Sequence, residues 1–372
     1  MHIFYYPTKD ATIYSGSTPG KIESTDVTTI NTGLDEILEV DKWIPDNGTF
    51  PLVDTNSVSR VLLYFDNTSL SSSVADGTIT NPTYSLKLFS TDTTTEVPLS
   101  YTINVIPLSS SWEMGIGKKD NNPIQKDGVT WQWRDVSGSE NWSNPGGDIV
   151  SSKTISPLGL VNFISSQTFE YEKNDINVDV TQAVKHQISG NIDNHGFIVK
   201  HTTGQEQSNT SYGSSKFFSR DTHTIYVPKL DVSWDDSIFN TGSLTGLSVI
   251  DGDFNIYMRG VNEAYKQDSI ERFNVYGRRR IVSSSFSTTS NYLDVKYLPE
   301  TTYYSIKDYK TNEDIIPFSS NTKVSCGSNG NYFNFRMSTL QLERMYKILY
   351  KVVSGDNVYI FDDNKFSFKV VK

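Results

Sequence analysis

The chain has one cysteine, Cys326, in 372 residues, so no disulfide can form within it and its stability must come from packing. It has no run of about 18 apolar residues, the length that a bilayer-spanning helix requires. The first residues, MHIFYYPTKDATIYSG, show neither the charged nor the apolar region of a signal peptide, and the expectation is a chain that folds in a reducing cytosol. Helix formers such as Ala and Leu are sparse, whereas Ser, Thr, Asn, Asp and Gly are abundant, which favours many short strands joined by polar turns. Excess positive charge is also lacking: 33 Lys and Arg stand against 43 Asp and Glu, a formal net charge of −10. Such a balance argues against nucleic acid and against an anionic membrane as partners, because phosphate binding needs a basic patch. The one basic run, Arg278-Arg279-Arg280, reads as the solvated end of a strand and not as a phosphate clamp.

Signatures of catalysis are missing as well. None of the five histidines sits in a His-Glu-x-x-His pattern or beside a Gly-x-Ser-x-Gly elbow. His186 falls on a short helix and His195 in a turn, both as surface histidines. Cys326, between Ser325 and Gly327, reads as a small buried side chain and not as a nucleophile. Asp175, Asn177 and Asp179 alternate as calcium ligands do, but the Gly at the sixth place and the Glu at the twelfth are absent, and the wet face of a strand explains them better. The expectation is a protein that is not an enzyme and has no cofactor and no metal.

What is present is aromatic. Four of the six tryptophans lie in one stretch, Thr102 to Trp142: Trp112, Trp131, Trp133 and Trp142. It opens as a strand, with Ile103, Val105 and Pro107 on one face and Thr102, Asn104 and Ile106 on the other. A polar insertion and a tight turn, Asp127-Gly128-Val129-Thr130-Trp131, follow. Tryptophans spaced by loops and not by 3.6 residues imply loops folded back over one end of a sheet. Trp112, Trp131 and Trp142 read first as covered, structural rings. Trp133 is open between a covered ring and an exposed one. As a sugar or partner platform, Trp131, Trp133 or Trp142 would offer a flat face, with nearby Asn, Asp and Gln taking hydroxyls.

Along the chain, the first strand is Ala11-Thr12-Ile13-Tyr14, followed by a turn-rich stretch around Gly16, Pro19 and Gly20. Leu34 to Leu38 fits either a helical turn or a strand. Arg60 to Asp66 (RVLLYFD) is a central strand by its apolar run, and Tyr84 to Ser90 a strand with one wet face. Ile176, Val178 and Val180 alternate; Thr181 then caps a short helix, Gln182 to Ile188, with Gly190 as its left-handed stop. Strands follow at Gly196 to Lys200, Phe217-Phe218 and Leu230 to Trp234. The second half adds Phe254 to Met258, Ile270 to Tyr276, Tyr303 to Ile306, Tyr332 to Phe335 and Phe366 to Val371. In STLQLERMYKILYKVV, Ser338 to Val353, the alternation of Tyr346, Ile348, Tyr350 and Val352 makes a strand, led in by one helical turn at Leu340 to Arg344. Leu340 six residues before Tyr346 resembles the tyrosine corner of Ig-type sandwiches.

DATIYS at Asp10, RVLLYFD at Arg60, YSLKLFS at Tyr84, SSW at Ser110, GVTW at Gly128, Trp142, INVDVTQAVKHQISG at Ile176, NHGFIVKH at Asn194, FFSRD at Phe217 and PKLDVSW at Pro228 follow one another across residues 8 to 236. In that order they resemble the DNRLRE-type domain, a jelly-roll-like β-sandwich related to carbohydrate-binding modules. Two features depart from that family: its members usually carry a signal peptide, and the insertions Lys119 to Asp127 and Ser143 to Thr168 are long. FNVYGR at Phe273, LPETTYYSIKD at Leu298 and FSFKVV at Phe366 resemble the Ig-like C-terminal domain of tail and neck proteins of tailed bacteriophages, crAss-like phages among them. The resemblances imply an all-β chain of two tandem β-sandwiches: a jelly-roll-like domain over 1–236, a linker over 237–249 and an Ig-like domain over 250–372. They imply a virion structural protein of the neck, collar or tail, folded in the host cytoplasm. Its partners would be other neck, portal or tail components, met in several symmetric copies. The alternative they leave is a carbohydrate-binding module that contacts host surface glycans.

Overall fold

The computed structural model describes residues 1–16, 29–44, 57–91, 97–121, 123, 125–171, 175–249, 252–281 and 295–372. The turn expected around Pro19 and Gly20, and part of the insertion Lys119 to Asp127, lie outside the described residues. The chain is all-β, with strands in 47% of it and helix in 9%. It divides into two compact units: Phe4–Thr78 with Thr83–Val232, and Met1–Ile3 with Ile79–Pro82 and Ser233–Lys372.

The two larger sheets of the N-terminal unit are built from β1 (His2–Tyr5), whose first two residues group with the other unit, β2 (Lys9–Tyr14), β3 (Ile37–Trp43), β4 (Ser57–Tyr64), β5 (Thr83–Leu88), β6 (Ser100–Pro107), β7 (Ser165–Glu170), β8 (Ile176–Asp179), β9 (Phe197–His201), β10 (Gly213–Phe218) and β11 (Lys229–Ser233, its last residue in the other unit). The larger sheet runs β7-β6-β9-β4-β3-β10, with β2 also on β4; the smaller runs β1-β11-β5-β8. β4 is central, as its apolar run requires: it pairs with β9, β2 and β3. Val61, Leu62 and Leu63 are fully buried in succession, so both faces of the strand are covered, and a continuous apolar run replaces alternation. β5 alternates as expected, burying Tyr84, Leu86 and Leu88.

Three local expectations are corrected. The first strand is β1, not Ala11 to Tyr14, and its short polar-aromatic HIFY carries little strand signal. Leu34 to Leu38, left open between helix and strand, divides: Leu34 to Glu36 turn, and Ile37 and Leu38 begin β3. Thr181 does not cap the helix but begins it: α1 spans Thr181–Ile188 behind Val180. Its N–H donates to Asp179 Oδ1 (2.8 Å) and its hydroxyl oxygen accepts from Tyr84 N–H (2.9 Å), so the side chain ties helix to strand. Gly190 has φ +72°, the left-handed stop that ends the helix.

The C-terminal unit has two sheets. One contains β12 (Phe254–Arg259), β13 (Ile270–Arg279) and β14 (Gly330–Arg336); the other contains β15 (Thr302–Asp308), β16 (Met345–Ser354) and β17 (Asn357–Val371). Rings from both faces meet in the middle. Phe333 of the first sheet stacks on Tyr304 of the second at 4.0 Å and on Phe273 of its own at 5.1 Å, while Phe273 meets Phe368 at 5.6 Å. Face-to-face packing of this kind makes a β-sandwich. Residues 237–249, read as a linker, are bonded into this unit: Cys326 N–H donates to Ile238 O, Asn240 N–H to Cys326 O, and Leu247 N–H to Tyr297 O.

The tyrosine corner is formed. Tyr346 Oη accepts from Gln341 N–H (2.9 Å) and donates to Gln341 O (3.2 Å), and Leu340 and Tyr346 are both 2% exposed. The helical turn expected at Leu340 to Arg344 is replaced by a short 3-10 turn at Met337–Thr339 and an open turn in which Glu343 has φ +61°. The phenol claims the Gln341 backbone groups that a helical turn would use. Tyr346→Phe strands both groups, and a loss of about 1–3 kcal/mol is expected in urea unfolding of the full chain; a variant as stable as the parent would show that the corner carries no load.

Candidate partner-contact surface on the tryptophan loop

The larger N-terminal sheet presents one row of residues in register: Ala11 opposite Leu62, Leu62 opposite Ile198, and Ile198 opposite Ile106. Residues 108–148 fold across this row. Trp112, Val129 and Trp142 close over it with Leu108 and Ile13 in one apolar cluster. The sequence places the loops at the end of a sheet; the structure lays them over its face, which is why Ile106, expected to point away from the core, is 2% exposed.

Both buried indoles of the loop have an acceptor. Trp112 Nε1 donates to His195 O and Trp142 Nε1 to Thr130 O, both at 3.0 Å. Asn31 clamps the loop from beneath: its Nδ2 donates to Met114 O and Val129 O, and its Oδ1 accepts from Gly117 N–H. Gly128 has φ +69°, and a Cβ there would stand 2.5 Å from the Gly115 backbone, so the expected tight turn needs glycine for two independent reasons. Thr130 N–H donates to Trp133 O and Trp133 N–H to Thr130 Oγ1, which starts the hairpin Trp133–Asp135 with Glu140–Asn141.

The three tryptophans singled out from sequence are therefore separated in role. Trp142 is 4% exposed inside the cluster and has no face to offer. Trp131 is half-buried, and the Arg60 guanidinium lies 4.6 Å over its ring. Gly146 (φ +91°) approaches the same ring so closely that a Cβ would sit 2.6 Å from it. Trp133 is half-buried, with exposed Gln132 before it in the chain and exposed Asn141 opposite it in the hairpin.

Beneath Trp131 lies a charged cluster that the sequence did not signal. Arg60 forms a bidentate pair with Glu206 (2.9 and 2.8 Å) and donates to Gly146 O (2.7 Å), while Lys200 Nζ donates to Glu206 Oε2 (2.7 Å). Glu206 is 7% and Lys200 4% exposed. Burial pulls the Lys200 amine below its usual range, and Arg60 beside it pulls further, against the pull of Glu206. Burial also holds His201 neutral, lowering it to about 4. Glu206 arrives on a five-residue helix, Thr203–Gln207, whose capping box on Thr202 and Gln205 is a signal readable in TTGQEQ but one that does not reveal its partners.

A second polar site opens as a cavity of about 400 Å³ lined by Tyr14, Asp35, Glu39, Lys119 and Lys216. Glu39 accepts from Tyr14 Oη (2.7 Å), from Lys216 Nζ (2.9 Å) and from Lys119 Nζ. A carboxylate with three donors is a fastener and not a free base. Another recess, of about 560 Å³ between β12 and β17, is bordered by Tyr257, Arg278, Asp362 and Lys365, and Asp362 there is held by Lys347 at 2.9 Å. Asp175 accepts from Ser90, 85 residues away, and Asp179 from Thr181 at the start of α1, so both already have partners within the chain. Among the described residues no group of three or more His, Cys, Asp or Glu could hold a metal ion, and no helix is long and apolar enough to cross a membrane.

No known family model matches the sequence, and no curated protein matches it.

Two tests follow from the buried charges. Glu206→Gln leaves Arg60 and Lys200 facing no carboxylate, and a loss of about 3–5 kcal/mol is expected in denaturant unfolding; a change below about 1 kcal/mol would show that Arg60 and Lys200 do not depend on it. Burial, and then the neighbouring Glu39 charge, raise Asp41 to about 7, and burial raises Asp10 to about 7. Both exceed the unfolded value, so between about pH 4 and 7 the unfolded chain sheds these protons first and their contribution to stability falls as pH rises. Asp41→Asn is thus expected to raise the melting temperature at about pH 7.5 and to leave it unchanged near pH 4; an equal effect at both would refute the assignment.

Proposed function

We propose that this chain is a virion structural protein of a tailed bacteriophage, placed at the neck, collar or tail and acting by protein–protein assembly. The observation that carries the reading is the tyrosine corner at Leu340 and Tyr346, set in a sandwich whose strands bear the motifs FNVYGR, TYYSIKD and FSFKVV. It supports an Ig-like identity for the C-terminal unit, as the motif order from Asp10 to Trp234 supports a jelly-roll-like one for the N-terminal unit. The polar clusters agree with a scaffold: Glu39, Asp148, Glu206 and Asp308 each accept several bonds from their own chain, so their lone pairs hold loops in place. Contacts repeated around a symmetric assembly then add by avidity. Purified particles are expected to contain this polypeptide by mass spectrometry, at several copies per particle; particles that lack it would end the proposal.

One observation favours a second reading, a carbohydrate-binding module facing host glycans. Trp133 is half-buried beside exposed Gln132 and Asn141, a pairing of a flat ring with amide groups that suits a sugar face. On that reading Trp133→Ala melts like the parent and loses its glycan-array signal. Retained signal, or none from the parent, removes it.

A further inference from the structure

The outward positions of β12, β13 and β14 carry a set of side chains unlike the rest of the chain. Tyr257 lies opposite Tyr276 in the β12–β13 ladder, and their rings stack at 5.5 Å. Arg259 stands 5.4 and 5.1 Å from these two rings, and Arg278 stands 5.7 Å from Tyr257. One strand further, Arg272 lies 3.4 Å from the Tyr332 ring. All three arginines are exposed and all three tyrosines half-buried. No outward position of the three strands is Asp or Glu. The arginine ion pairs among the described residues belong to Arg60, Arg134, Arg220 and Arg344, so no carboxylate is paired with the guanidinium groups of this face, where Arg259 donates to Tyr257 Oη at 3.4 Å. Arg278 is the solvated strand end that the sequence indicates, and it also belongs to a ladder assembled from three strands.

A guanidinium stacked on a phenol is fixed in place before any partner arrives, with its N–H edge still open to a carboxylate. Tyr and Arg in this arrangement are the residues that dominate protein interfaces. The complementary charge is in the same chain. Residues 1–232 hold 27 Asp and Glu against 16 Lys and Arg, a net of −11, while 233–372 hold 16 against 17, a net of +1.

We propose that the Arg–Tyr face of the C-terminal unit docks on the acidic N-terminal unit of a second copy of this chain. A two-fold contact through the same face would set arginine against arginine and is repelled. The contact therefore joins two different surfaces, either head to tail or reciprocally about a two-fold axis. Nucleic acid is disfavoured as occupant because its phosphates would also approach a unit of charge −11. The inference stands on charge and geometry and does not need the phage reading.

The test is sedimentation velocity of the full chain. Self-association is expected that weakens at least about tenfold between about 50 mM and about 500 mM salt, where exposed charge pairs are screened. Arg272→Glu/Arg278→Glu should abolish it with an unchanged melting curve, and Arg272→Gln/Arg278→Gln should weaken it should the first variant fold poorly. Mixed with the parent, the variant should still be bound through its N-terminal unit by a parent Arg–Tyr face, with association weaker than that of the parent alone. A parent that is monomeric at all concentrations in low salt, association indifferent to salt or to both variants, or binding of a labelled DNA duplex without self-association would each overturn the proposal. Particle composition does not bear on these outcomes, so failure here and failure of the virion assignment are told apart.

Discussion

Burial of β4 on both faces is the constraint from which the N-terminal unit follows. A strand with Val61, Leu62 and Leu63 all at 0% exposure needs apolar cover on two sides. One set of neighbours, Val61, Val199 and Val105, lies in register on one face; the row Ala11, Leu62, Ile198, Ile106 lies on the other. That second row is covered by a loop, and a loop has few residues with which to fill a wide surface. Large rings solve the problem with the fewest residues, since Trp112 and Trp142 each bury a side chain worth roughly 3–5 kcal/mol on truncation. Their N–H groups need acceptors in a dry place, and the loop's own backbone at Thr130, with His195 O beside it, supplies them. The dense tryptophans are thus a consequence of β4 more than of any ligand.

The loop also brings polar backbone over an apolar sheet, which is costly unless every group is matched. Asn31 matches three of them, and Asp148 accepts from Ser143 N–H, Asn144 N–H and Ser110 Oγ. Burial works against the Asp148 anion, yet those bonds outweigh it and hold its carboxyl below the usual range. Where the cover ends, at Trp131, the sheet turns polar with Arg60 and Lys200, and Glu206 is brought in to neutralise them. A buried triad of this sort adds little net stability compared with apolar packing, but it penalises any other arrangement of the loop.

Much of this was legible in the sequence, and the failures have physical causes. Continuous or alternating apolar runs marked β4, β5, β8, β9 and β13, because burial acts on each of those strands along its own length. The tyrosine corner was legible because Leu340 and Tyr346 are close in the chain and one bond pattern defines them. β1 and β3 were missed or left open since HIFY is too short, and ILEVDKW places Glu39, Asp41 and Lys42 in buried positions that a sequence reading assigns to solvent. The partners of Glu39, at Lys119, Lys216 and Tyr14, are distant in sequence. So are Arg60 and Glu206, 146 residues apart. Trp131 and Trp133 could not be parted by spacing, because what separates them is the Arg60 side chain over one ring.

The two units meet the same problem, a sheet with one face turned away from the sandwich core, in opposite ways. The N-terminal sheet has apolar residues on that face and is sealed by a loop of its own chain. The C-terminal sheet has Tyr257, Tyr276 and Tyr332 there, rings large enough to carry interface energy yet polar enough to stand half in water with arginines laid against them. A face that had to be sealed would not have kept three exposed guanidinium groups, since desolvating them without carboxylates costs several kcal/mol each. A face with no role in contact would more naturally alternate Lys, Glu, Ser and Thr, with charges of both signs interspersed. With no cover and no carboxylate on its own outward positions, and with the neighbouring Asp362 already held by Lys347, this surface is stable as it stands and gains most from an acidic neighbour, the property that separates a contact surface from ordinary solvent-facing strand.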